Sequence, residues 1–113
     1  MCKAQESISN RMKLLQEAYV CDLPNQINIM ECNWEKLVIT KNLDKYIADL
    51  LRVFHSMAGT ASSFGYAKIG EYARKGEHVL KAILNSCRIS AEAKYTMQYC
   101  ITGIKTAFES IKI

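Results

Sequence analysis

The residues best suited to chemistry lie between Leu50 and Glu77, in LLRVFHSMAGTASSFGYAKIGEYARKGE, where one histidine is set among small side chains. A histidine ring nitrogen can bond covalently to an electrophile or ligate a metal. Which of these is open to it depends on where its helix points it. Apolar side chains at Leu43, Ile47, Leu50, Phe54, Met57, Ala61 and Phe64 recur in steps of four and three, the seam of an amphipathic helix. At about 100° per residue, His55 stands roughly 120° from the centre of that stripe and points away from the core. Gly59 and Ser62 lie near it on the following turns and Ala48 on the turns before. Leu51 and Ala58 flank it on the core side, Arg52 and Ser56 on the other. The spacing predicts an imidazole on an open helix flank, with the Arg52 cation close by.

Gly59 is a costly choice inside a helix, about 0.5–1 kcal/mol worse than alanine. One turn after an exposed histidine, it leaves room for another molecule to come close. Ser56, Thr60, Ser62 and Ser63 are also weak helix formers. By spacing alone, a lone histidine on a helix flank is usually a surface residue without a role, and Gly59 with the serines can also serve to let two helices pack closely.

The stretch resembles the histidine phosphotransfer (HPt) domain of multistep phosphorelays. That family carries a histidine, two residues, a lysine or alanine, a glycine, a small residue, and often a phenylalanine-glycine pair. Here the pattern reads His55, Ser56-Met57, Ala58, Gly59, Thr60, then Phe64-Gly65-Tyr66. Upstream, Leu23-Pro24 followed by Ile27, Met30 and Trp34 is similar to the second helix of one branch of the family. The likeness covers about residues 19 to 80. It implies that His55 takes a phosphoryl group from a receiver-domain aspartate, by way of Nε2, and passes it to an aspartate on a second receiver.

The same resemblance implies partners and surroundings. The partners would be the receiver domains of a hybrid sensor kinase and of a response regulator, and the receiver would bring Mg²⁺, so no cofactor is expected on this chain. Arg52, Ser56, Gly59, Ser62 and Lys68 would surround the phosphate, while Leu51, Ala58 and Gly59 would meet the receiver. Ala58 stands where many members have lysine, which leaves the phosphate's cation to Arg52 or to Lys68 on the next helix. Gly76 stands where a large apolar residue is usual, so weaker packing is expected there. With no Gly-rich phosphate loop in the chain, neither a nucleotide pocket nor kinase activity is expected.

Other classes fit less well. An interaction bundle that keeps this fold without using His55 is the alternative. A metal site would have to join His55 and His78, and no carboxylate or cysteine completes a set at ligand spacing. The dimerisation domain of a sensor kinase normally has an acidic residue after its histidine, where this chain has Ser56.

The elements that position His55 follow from the rest of the chain. A length of 113 residues suits one domain, and no linker or low-complexity tract divides it. The predicted fold is all-α, an up-down antiparallel four-helix bundle with an additional N-terminal helix. That extra helix is expected over about 5–19, with Ile8, Met12, Leu15 and Tyr19 buried, and Asp22-Leu23-Pro24 ending it. Bundle helices are expected over about 24–39, 43–64, 66–85 and 90–112, the first with Trp34 in its core. Asn42 and Ser90 should cap the second and fourth of these, and Gly65 should end the helix that carries His55. No period-two alternation suggests a strand.

A net charge of +4 is spread among acidic residues without a basic block. A nucleic-acid partner is therefore not expected; the mild positive balance suits docking of an acidic receiver surface, and such a balance is more often just a solvated face. The five cysteines form no Cys-x-x-Cys pair, and they read as buried small hydrophobes in a reducing compartment. Neither a signal-peptide core nor an apolar run of membrane-spanning length occurs. A monomeric, cytoplasmic protein, or one domain of a longer protein, is expected.

Overall fold

A computed structural model describes the backbone of residues 2–112 and the side chains of residues 10–111. Four helices account for nearly all of it: α1 (Cys2–Thr40), α2 (Leu43–Ser63), α3 (Ala67–Ser86) and α4 (Ala91–Lys112). No strand occurs among the described residues. α2 packs on α1 and α3, and α4 packs on α3 and α1, so the four enclose one core.

The predicted break at Asp22-Leu23-Pro24 is absent: α1 runs 39 residues through Pro24, and the expected separate helices 5–19 and 24–39 are one. Proline removes one helical hydrogen bond and crowds the carbonyl four residues back, a cost of about 3 kcal/mol. Two features hold the helix together across it. Pro24 itself is exposed, while Tyr19, Leu23, Ile27, Met30, Trp34 and Leu37 are buried along one unbroken stripe. Gln26 also donates to Asp22 Oδ2 at 2.8 Å, bridging the proline turn from outside.

The start of α1 departs from expectation too. Met12 is 45% and Leu15 55% exposed, and only Tyr19 of the expected N-terminal stripe is buried; the side chain of Ile8 lies outside the described residues. A 39-residue helix is about 58 Å long, nearly twice the length of its neighbours, so its first half projects past the bundle. The projecting part is tied down at its root. Gln16 Nε2 donates to the Phe64 carbonyl at 2.8 Å, and Tyr19 packs its ring on Phe64 and Tyr66.

The remaining boundaries follow local chemistry. Asn42 Oδ1 accepts from the Lys45 N–H at 3.2 Å and starts α2. Ser90 Oγ accepts from the Ala93 N–H at 3.0 Å and starts α4. The chain turns after α2 at Gly65, whose φ of +88° is left-handed and suits glycine. The Tyr66 N–H, bonded to the Ala61 carbonyl at 2.8 Å, completes that turn.

Gly76 does not weaken the packing. It is buried, and a Cβ there would strike the ring of Phe54, which fills the space instead. Burying such a side chain is worth about 1.5–3 kcal/mol. The cysteines divide: Cys21, Cys32 and Cys87 are exposed and only Cys100 is buried, where burial raises its thiol pKa. Cys2 lies outside the described side chains. Among the described residues, no helix is long and apolar enough to cross a membrane.

Candidate functional site

His55 sits on the flank of α2 that meets α3. The registration between the two helices is set by close packing at their turn end, where Gly70 admits Ser62 and the Ala58 carbonyl. Seven residues back along α2 and seven forward along α3, the same pairing brings His55 opposite Glu77. The two are bonded, Nδ1 to Oε2, at 2.7 Å.

The partners differ sharply in exposure. The imidazole is 78% exposed and the Glu77 side chain only 13%. A carboxylate can only accept, so the proton of this bond belongs to Nδ1. In the neutral ring, the lone pair then lies on Nε2, at the exposed edge. A second group held this way fixes both the tautomer and the orientation of the ring. Lys81 Nζ reaches the same carboxylate oxygen from one turn further on, at 3.7 Å. The arrangement supplies an outward, oriented ring nitrogen backed by a carboxylate and a lysine, which is suited to forming a bond with an electrophile brought from outside.

The open flank is as expected at Gly59. It is exposed, and nothing lies within 4 Å of the position a Cβ would take. Ser56 is exposed beside the histidine and Leu51 is half-buried. Arg52 forms an ion pair with Asp49 of its own helix.

Three expected site residues lie elsewhere. Ala58 is 4% exposed and part of the core, so it offers no docking surface. Ser62 donates its hydroxyl to the Ala58 carbonyl at 2.9 Å and lies against Gly70, two turns from His55. Lys68 lines a depression between α3 and α4 together with Gly103 and Thr106. It precedes Glu77 by nine residues, about 13 Å along the axis and half a turn round the helix, so it faces away from His55.

Glu77 and Lys81 were not singled out from the sequence. A hairpin turning at Phe64-Gly65 puts position 74 opposite His55, whereas the observed pairing centres on Tyr66 and moves the partner one turn down α3. Gly65-Tyr66, the first residues able to close the turn, carried that signal. His78, the neighbour of Glu77, is exposed and turns about 100° away from it round α3. Among the described residues, no three His, Cys, Asp or Glu side chains are grouped as metal ligands. Comparison with protein-family models, with curated proteins and with solved structures found no match.

Proposed function

We propose that this chain is a phosphocarrier of the histidine phosphotransfer type, with His55 as acceptor and no catalytic nucleotide chemistry of its own. The observation that carries the reading is the His55–Glu77 pair, which engages Nδ1 and leaves Nε2 of an exposed ring free beside an empty Gly59 flank. The sequence pattern around His55 supports it independently. In this reading the four helices form an up-down bundle and the partners are two receiver domains.

The Nε2 lone pair attacks the phosphorus of a receiver aspartyl phosphate. The N–P bond forms as the P–O bond to the aspartate breaks, and the carboxylate leaves with that electron pair. The ring becomes positive as the bond forms, and Glu77 at Nδ1 balances that charge. Negative charge spreads over the equatorial phosphoryl oxygens in the transition state. Lys81, which already reaches Glu77 at 3.7 Å, serves as their cation in place of the lysine missing at Ala58. Arg52 is held by Asp49 and contributes less. The reverse reaction, with a second receiver aspartate as nucleophile, discharges the carrier.

The test is transfer of label from a phosphorylated receiver. His55→Gln should take up no acid-labile label, while His78→Gln should match the unaltered chain. Label retained by folded His55→Gln would leave an interaction bundle with an idle histidine as the better description.

A further inference from the structure

On the side of α3 turned away from His55, α3 and α4 enclose an open groove. Two depressions form it, of about 410 and 400 Å³, and they share Tyr72, Gly103 and Thr106. The groove is built by Gly103: a Cβ there would lie 2.6 Å from the Tyr72 ring, so only glycine lets that ring lie across α4. Tyr72 then meets Tyr99 edge to face, with ring centres 5.6 Å apart. Lys75 Nζ stands 5.5 Å from the centre of the Tyr99 ring. Tyr99 remains 49% and Tyr95 76% exposed.

Exposed tyrosines around a shaped depression are typical of protein-binding surfaces, because the ring gives a large contact at small entropic cost. The lining of the groove carries formal charge of one sign only. Its lining includes Lys68, Gln98, Thr102, Thr106 and Ser110, and no acidic residue lines either depression. With Lys75 at the Tyr99 ring, two ammonium groups and several hydroxyls border the groove, against one nearby carboxylate, Glu71, which acts on the Tyr72 hydroxyl. That balance selects a negatively charged occupant and disfavours a basic one.

We propose that the α3–α4 groove is a docking surface for an acidic segment of a protein partner, with apolar or aromatic side chains seated against Tyr72 and Tyr99. Tyr72 lies about 140° round α3 from Glu77, so this surface and the His55 flank can be occupied together. A partner held here would be tethered to the carrier without covering the histidine.

The whole ¹⁵N-labelled chain can be titrated with three synthetic peptides of about 14 residues. They share the same leucine and phenylalanine anchors, and their polar positions are Glu, Gln or Lys. The Glu peptide should shift the amide signals of Tyr72, Tyr99 and Gly103 and leave Gly59 unmoved. Its affinity should fall at least about tenfold in Tyr99→Ala and in the Lys68→Glu, Lys75→Glu double variant. The double variant should instead take up the Lys peptide; it changes only exposed side chains, so it keeps the test valid if Tyr99→Ala fails to fold. Equal binding of the Gln or Lys peptide, shifts centred on Gly59, or no binding by any of the three would overturn the proposal. Concentration-dependent shifts of the same signals without peptide would do so as well, by assigning the groove to a second copy of the chain.

Discussion

Glu77 approaches Nδ1 of His55 at 2.7 Å from a site that is 13% exposed, and what this carboxylate does can be separated from folding. Glu77→Gln keeps an acceptor for the Nδ1 proton, whereas Glu77→Ala removes it. Orienting partners of this kind are typically worth about 10–100-fold in activity, so Glu77→Ala should slow receiver-to-histidine transfer by that order. Glu77→Gln should recover most of the loss and melt near the unaltered chain, because it keeps the shape and the acceptor of a side chain that is only 13% exposed. Equal transfer by Glu77→Ala would remove the role. Gly59 makes a matching case. Nothing occupies the space a Cβ would take there, so Gly59→Ala should raise stability by up to about 1 kcal/mol and keep activity. Gly59→Gln should fold yet transfer poorly, since about 1 Å of misplacement can cost 100-fold in rate. Thermal melting beside transfer rates on both variants decides it; full transfer by Gly59→Gln would mean that the receiver approaches elsewhere. The histidine and its open flank were legible in the sequence because both depend on one helix's own periodicity. Glu77 was not, because its place depends on where a turn closes: a shift of the hairpin centre by one or two residues exchanges position 74 for 77.

At the scale of elements, the same contrast recurs. α2, α3 and α4 were readable to within one or two residues, since Asn42, Gly65 and Ser90 mark their ends by side-chain or backbone chemistry. α1 was misread at Pro24, where the local signal for a break lost to an apolar stripe that keeps its phase from Tyr19 to Leu37. Pro24→Ala should therefore stabilise the chain by about 1–3 kcal/mol: it restores a backbone hydrogen bond, less what proline saves by restricting the unfolded chain. Gly76→Ala should do the reverse, by about 1–3 kcal/mol, because its Cβ would displace the Phe54 ring. Urea unfolding of the two variants measures both. A stabilised Gly76→Ala would mean that the Phe54 ring moves aside freely.

Over the whole molecule, the long α1 joins a projecting segment to the end of the bundle nearest the α2–α3 turn, and Tyr19 is the joint. Its ring packs on Phe64 and Tyr66, and its buried hydroxyl has no hydrogen-bond partner. Burial, helped by Asp22, pushes its pKa up from 10.0 to about 12. The neutral phenol is the form that fits, so its contribution to stability is complete below pH 10 and is lost as pH rises through about 12. Tyr19→Phe should be at least as stable at neutral pH. Its advantage should grow by about 1.4 kcal/mol between about pH 9 and 11, which urea unfolding at the two pH values reads directly. An advantage that stays constant would mean that the hydroxyl ionises freely in the folded chain. What the whole arrangement presents to a partner is one ring nitrogen, and the most direct measurement is where phosphorus goes. The ¹⁵N-histidine-labelled chain can be incubated with a receiver domain charged by a small phosphodonor, and its ring nitrogens followed by ¹⁵N and ³¹P spectroscopy. A single N–P bond is expected, at Nε2 of His55, with Nδ1 still protonated toward Glu77; phosphorus on Nδ1, on His78, or on neither histidine would overturn the assignment of His55 as acceptor through Nε2.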